Sequence, residues 1–184
     1  MHKSLLSDQK IMRLIVCAGI FFLAFPFTET CWAQNNFGNW FSGKMDDNEG
    51  YFAASVNDSR EVFGQYCFNE SGKCVWLLLA DVDCEEGSKY HALVNADGGS
   101  EHLEILCNKI GSKPRYIFTN FEKIDTVVSG STSYIGIAFP LASGLFQVTR
   151  FLLDGSKEAL QDMESKMKSR NKTKNSKKTN SYKM

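Results

Sequence analysis

Glu61-Val-Phe-Gly-Gln-Tyr-Cys-Phe68 and Lys73-Cys-Val-Trp-Leu-Leu-Leu79 are rich in aromatic, β-branched and bulky apolar residues, and between them lies the turn-forming cluster Asn69-Glu-Ser-Gly72. The pattern predicts a β-hairpin. With those turn residues as the loop, Phe68 faces Lys73 and Cys67 faces Cys74, so the two sulfurs start from opposed positions about 4.5 to 5.5 Å apart at Cα. A cross-strand disulfide is geometrically open to them. Cys84 and Cys107 are then the remaining pair of this region, although four cysteines permit three connectivities.

Outward from the hairpin, strand-like segments alternate with turn residues. They are Tyr51–Val56, Val62–Phe68, Cys74–Ala80, Tyr90–Asn95, His102–Cys107, Arg115–Thr119, Tyr134–Phe139 and Leu145–Leu153, with turns at Asn57-Asp-Ser59, Glu86-Gly-Ser88, Asp97-Gly-Gly-Ser100, Gly111-Ser112 and Ala142-Ser-Gly144. This spacing predicts a mainly β domain, an antiparallel sandwich or barrel. Two helices interrupt it. Thr119-Asn-Phe-Glu122 has capping-box spacing ahead of Ile124, Val127 and Val128, and Gly155-Ser156 precedes a helix to about Lys168 with Leu160, Met163 and Met167 on one face.

The N-terminus reads as a secretory signal. Basic residues up to Arg13 precede the apolar run Leu14–Phe25, which at about 12 residues is too short to span a bilayer, and Cys31-Trp-Ala33 supplies small residues for cleavage after Ala33. Residues 1–33 would thus be removed together with Cys17 and Cys31. Export decides how the surviving cysteines are read, because an oxidising compartment favours disulfides where the cytosol favours metal or redox thiols. The spacing C-x6-C-x9-C-x22-C from Cys67 to Cys107 also matches no paired zinc-ligand pattern.

The formal charge of zero conceals two opposed parts. Residues 34–165 carry 10 Lys+Arg against 19 Asp+Glu, a net of −9, whereas residues 166–184 carry eight Lys+Arg and no acid. The division is therefore a β domain over 34–165 and a basic tail over 166–184. The tail has almost no apolar content to offset its ordering entropy, and disorder is the expectation. Lys166, Lys168, Arg170, Lys172, Lys174, Lys177 and Lys178 would hold the protein near an anionic membrane surface or polymer by screened Coulomb attraction. Nucleic acid is a poor partner for an exported chain with an acidic body.

The export signal, the small cysteine-bearing β body, the early segment Phe37-Gly-Asn-Trp40, the strand Ile137-Ala-Phe-Pro-Leu141 and the terminal Phe151-Leu-Leu-Asp-Gly-Ser-Lys-Glu-Ala-Leu160 resemble the invasion-associated locus B family of bacterial envelope proteins. The acidic middle and the basic tail depart from that family. The resemblance implies a periplasmic β-sandwich of bacterial origin, an envelope or host protein as partner, and no catalytic residue to carry over.

Catalysis needs convergent groups, and the mature chain offers two histidines. His91 and His102 sit opposite in strand phase to their apolar neighbours, which predicts that both face solvent. No G-x-S-x-G elbow is present. Asp81-Val-Asp-Cys-Glu-Glu-Gly87 places carboxylates at alternate positions like the start of a calcium loop, but the glycine falls one place late and the twelfth position is Ala92 rather than Glu. Asp97, Glu101 and Glu104 are the carboxylates from which a glycosidase pair could be nominated. Trp40, Phe41, Tyr51, Phe52, Phe63, Tyr66, Phe68 and Trp76 are many aromatics for half of a small domain. Strand alternation requires some of them to face outward, where a strip would form a binding surface. The expectation is an exported, non-enzymatic interaction protein of the periplasm or cell exterior, without cofactor or metal; the alternative is a secreted hydrolase working through scattered carboxylates.

Overall fold

The computed structural model describes residues 34–46, 49–110, 113–141 and 143–180, with side chains to residue 170. The predicted signal segment 1–33 lies outside them, as do residues 181–184, parts of the turns at 111–112 and 142, and the side chains of Lys172, Lys174, Lys177 and Lys178. In chain order the elements are β1 (Asn35–Phe37), β2 (Trp40–Lys44), β3 (Gly50–Val56), β4 (Val62–Phe68), β5 (Cys74–Leu79), β6 (Lys89–Ala96), β7 (Gly99–Ile110), β8 (Lys113–Phe118), α1 (Phe121–Ser129), β9 (Tyr134–Pro140), β10 (Phe146–Leu152) and α2 (Ser156–Asn180).

All ten strands belong to one antiparallel sheet in the order β1-β2-β3-β4-β5-β8-β7-β6-β9-β10. The sheet is not closed into a barrel, since β1 and β10 each have one strand neighbour. It nevertheless behaves as a sandwich. The β5–β8 junction pairs only Leu77 with Ile117 and Leu78 with Tyr116, and around this narrow seam the two halves face each other over one core. Phe63 of β4 meets Trp40, Trp76, Phe118 and Phe151, drawn from β2, β5, β8 and β10, with ring centroids 5.1–6.1 Å apart. Each of these rings is at most 3% exposed, so the aromatic cluster is what joins the halves.

The predicted hairpin forms in the predicted register: Cys67 lies opposite Cys74 and is disulfide-bonded to it, with a Cα separation of 4.0 Å. Cys84 is bonded to Cys107 with Cα atoms 6.1 Å apart, tying the β5–β6 connection to β7. β1 and β2, which the strand reading left out, are a hairpin turning at Gly38-Asn39, where Gly38 has a φ of +55°.

That turn is where the two ends of the sheet meet. Asn39 N–H donates to Asp154 O at 3.0 Å, and Trp40 Nε1–H donates to Leu152 O at 2.8 Å. Contact is so close that a Cβ on Gly155 would lie 1.7 Å from Phe37 O. The segments Phe37–Trp40 and Phe151–Leu160 therefore work together as a structural lock.

Both helices differ from expectation in detail. The N-cap of α1 is Asn120, whose Oδ1 accepts from Lys123 N–H at 3.0 Å. Thr119 is instead held at the strand end, its N–H and hydroxyl both donating to Glu104 O, so the capping box falls one residue out of register. α2 buries Ala159 and Met163, packs Leu160 and Met167 against the core, and lies against β1, β2 and β3. Its backbone is helical to Asn180, beyond the expected stop near Lys168. The physical reason is that 156–180 contains no Gly or Pro to end the helix, and its many Lys, Glu, Gln and Met residues are good helix formers.

Candidate functional site

Of the titratable side chains singled out from the sequence, His91 and Glu104 are cross-strand neighbours in the β6–β7 register, and the others are engaged separately. His91 and His102 are exposed, as strand phase requires. Asp83 pairs with Lys109 at 2.7 Å, and Glu86 accepts from Asn108 Nδ2 and from the Lys109 backbone N–H, so the 81–87 loop is pinned to β7 rather than turned inward around a common centre. Asp97 accepts from the Thr132 and Ser133 backbone N–H groups and both hydroxyls. The Thr132 N–H bond and these others hold its carboxyl down at about 2. That is the chemistry of a loop cap ahead of β9.

Glu101 and Glu104 are separated by strand geometry. Period two places residues three apart on opposite faces. Glu104 pairs with Lys89 at 2.9 Å on the outer face, while Glu101 lies 3.8 Å from Lys123 of α1. Glu101 does share a shallow depression of about 190 Å³ with Glu122, but Lys123 lines it too.

The aromatic strip divides between the two faces. Trp40, Phe63 and Trp76 are core and Tyr51 packs against the core, whereas Phe41, Phe52, Tyr66 and Phe68 lie on the outer face, each partly covered. Phe41, Phe52 and Tyr66 form a row with centroid spacings of 5.7 Å. The row shields itself, and burial pushes the Tyr66 hydroxyl up to about 12.

The largest exposed apolar side chains lie elsewhere, on β10 and just before it. Phe146 and Val148 are each 69% exposed, Leu145 68% and Leu152 50%. Across the register Val148 lies beside Ala138 of β9, and Ala138 beside Leu93 of β6, itself 42% exposed. A row of aliphatic side chains thus crosses three strands, exposed at Val148 and Leu93 with half-buried Ala138 between them. Its parity is set by Phe151 and Leu153, which are 1% and 2% exposed: with these inward, Thr149 and Gln147 also turn inward, and Phe146, Val148, Arg150 and Leu152 face out.

The inward polar pair is satisfied by a buried acid. Glu61, 7% exposed, accepts from Gln147 Nε2 and Asn57 Nδ2 at 2.8 Å and from the Thr149 hydroxyl, while its own N–H donates to Asn57 Oδ1 at 2.9 Å. Asn57 Nδ2 also reaches Thr149 Oγ1 at 2.8 Å. This polar clasp ties β10 to the β3–β4 turn in place of backbone pairing. Above it runs a cleft of about 370 Å³, with Val56, Asn57 and Asp58 on the turn side and Val148, Arg150 and Leu152 on the β10 side.

The backbone of β10 along that cleft is open. Leu141 N–H donates to Leu145 O and Leu153 N–H to Ser133 O, so the odd-numbered residues of β10 carry the bonds to β9. Even-numbered residues therefore direct N–H and C=O to the free edge. Trp40 Nε1 occupies Leu152 O, in agreement with this parity. Phe146, Val148 and Arg150 remain as an edge ladder without a strand neighbour. None of these positions was nominated from the sequence.

Of the basic residues proposed to contact an anionic surface, Lys166 and Lys168 are ion-paired within α2, to Asp162 at 2.6 Å and Glu164 at 3.0 Å. Burial pushes the Asp162 carboxyl up, but Lys166 and the Ser42 hydroxyl outweigh that and hold it below its ordinary value. Ser42 is fully buried, so this Ser-Asp-Lys contact seats α2 on β2 and admits no substrate. Arg170, the third, lies one helical turn beyond Lys166 in the same α2.

No protein-family model matches the sequence, and no curated protein matches it. Among solved structures, the crystal structure of invasion associated protein B from Bartonella henselae is similar with a TM-score of 0.54 at 14% identity, over 73% of this chain and 98% of that one. At that identity the likeness is one of fold.

Proposed function

We propose that this chain is an exported, non-enzymatic interaction protein of the bacterial envelope, with the outer face of β6, β9 and β10 as its contact surface. The observation that carries this reading is the contrast between two sets of side chains. The acids nominated for catalysis are taken up by separate lysines or by a loop cap, while large apolar groups on one strand are left in water. An exposed apolar row of this kind marks an interaction site. Two disulfides favour an oxidising compartment, and a fold shared with a protein named for its association with invasion favours an envelope or host protein as the partner. The test is a turnover screen of the exported protein against glycoside, ester and peptide substrates. No turnover is expected; activity abolished by Glu101→Gln or Glu104→Gln would establish the hydrolase alternative.

The basic C-terminal extension serves this role as an electrostatic tether. Lys172, Lys174, Lys177 and Lys178 add to Lys166, Lys168 and Arg170 with no acid among them, and near an anionic membrane each well-placed cation contributes up to about 1 kcal/mol. Only part of that is realised at once, because Lys166 and Lys168 are held by α2's own acids.

A further inference from the structure

We infer that the open edge of β10 is filled by the β10 of a second copy of this chain, paired antiparallel about a two-fold axis at Val148; the inference rests on the β10 surface being an interaction site and names what occupies its edge. Four observations support it.

First, the even-numbered backbone groups that face the free edge belong to the same residues whose side chains stand exposed on the outer face, Phe146, Val148 and Arg150. Edge pairing therefore satisfies the ladder and covers the apolar side chains in one step, which an isolated side-chain contact could not do. Second, the other end of the sheet is protected along its length, whereas β10 is capped only at Leu152 O and flanked across the cleft by the β3–β4 turn. β1 is three residues long, its outer residues are Asn35 and Asn36, and α2 packs beside it, with Asn35 Nδ2 donating to Asp162 at 3.2 Å. Association through a sheet edge is thus directed to β10.

Third, the register is selected. Paired residues on the free edge must both be even-numbered. An axis at Arg150 would set two guanidinium groups opposite each other, whereas an axis at Val148 sets Val148 against its counterpart and Phe146 against the other copy's Arg150. It uses the complete set of free groups on Phe146, Val148 and Arg150, roughly six hydrogen bonds, and leaves Leu152 O to Trp40. Fourth, the one charge on this edge is drawn off it. The Arg150 guanidinium lies 3.8 Å from the centre of the Tyr134 ring, so the charge points back over its own copy and the aliphatic stem is left to cover Phe146 of the other. A lysine or arginine pointing off an edge normally prevents such pairing.

The consequence is a larger contact surface. Leu93, Ala138 and Val148 of one copy continue into Val148, Ala138 and Leu93 of the other, so the aliphatic row of one chain becomes one unbroken row across six strands. A single strand per copy makes a small interface, for which association on the order of 10 µM is expected.

The test is sedimentation velocity on the full chain expressed for export, from ~1 to ~200 µM. Reversible dimer is expected across that range, Phe146→Glu and Val148→Lys should each return the protein to monomer with unchanged thermal unfolding, and Val148→Cys should cross-link to itself on mild oxidation while Ser143→Cys does not. A monomer throughout the range, or a dimer that survives both charged substitutions, overturns the inference. Neither result touches the binding-module reading, which fails on a different measurement, the turnover screen.

Discussion

Replacing Glu61 by alanine should loosen β10 from the β3–β4 turn, and the size of the effect follows from the clasp. The carboxylate receives three side-chain hydrogen bonds, from Gln147, Thr149 and Asn57. Bonds to a charged acceptor contribute about 1.5–3 kcal/mol each, but they are not additive here, because Asn57 and Thr149 keep their bond to each other and the adjoining cleft admits water. The expected loss for Glu61→Ala is about 3 kcal/mol, against a total of about 10 for a domain of this size. Glu61→Gln keeps the volume and one acceptor but turns an NH₂ group toward the NH₂ of Asn57 or Gln147, so it should cost about 1.5 kcal/mol. Thr149→Val removes one hydroxyl and should cost about 1. Urea denaturation reads these values as midpoint shifts, roughly 1.5–2 M for the alanine variant. Hydrogen exchange supplies the location: the Thr149 and Phe151 amides, which face β9, should lose protection before those of β7. Equal stability of the alanine and glutamine variants, both within about 1 kcal/mol of wild type, would refute the reasoning, since it would mean the acid is not hydrogen-bonded.

Phe63→Ala removes the ring shared by both halves of the sandwich and should cost about 4 kcal/mol in chemical denaturation; a cost under about 2 would mean that the halves are held by something other than this cluster. Disruption of the disulfides as Cys→Ala pairs should cost about 3.5 kcal/mol for Cys84–Cys107 and about 2.5 for Cys67–Cys74, because the longer loop loses more unfolded-state entropy; the reverse order would contradict the chain-entropy account. For Asp97 the folded-state value of about 2 lies below the unfolded one of about 3.9. Its contribution is therefore complete above about pH 4 and lost as pH falls through about 2, which a carboxyl titration followed by NMR checks directly. Exchange of Lys172, Lys174, Lys177 and Lys178 for glutamine should weaken co-sedimentation with anionic vesicles by roughly tenfold or more, and salt should weaken the wild-type binding in the same way. Binding that ignores both changes would eliminate the tether.

Local chemistry carried the reading of the fold. The hairpin register, the disulfide at its base and the eight strands from Gly50 onward follow from alternation and turn residues that act over a few positions. β1 and β2 escaped because Phe37–Trp40 shows a two-residue Gly-Asn turn flanked by strands of three and five residues, too short to display a period. The seam at β5–β8 is a tertiary property, and nothing within either strand marks it. The extension of α2 past Lys168 escaped for a related reason: the tail's composition lacks a buried face to mark a helix, while the absence of Gly and Pro leaves the α2 backbone free to continue.

The strand over Leu145–Leu153 was legible, but its facing was not, for a sharper reason that also hid the candidate site. Phe146-Gln-Val-Thr-Arg-Phe-Leu152 alternates, and alternation alone assigns Phe146 and Val148 to the core and Gln147 and Thr149 to solvent. The phase change at Arg150-Phe151 contradicts this, since Phe151 shares its face with Gln147 and Thr149. Both halves of the strand cannot have their apolar residues inward without a bulge, and β10 pairs with β9 through seven consecutive residues with no bulge. The conflict is resolved in favour of Phe151, which packs on Phe63, and the two polar residues it carries inward are supplied with Glu61. A buried acid distant in the chain but in contact with β10 is thus what allows Phe146 and Val148 to stand in solvent. A strand whose alternation changes phase without a bulge is a sequence signal for an exposed apolar surface that a reading of single strands does not detect.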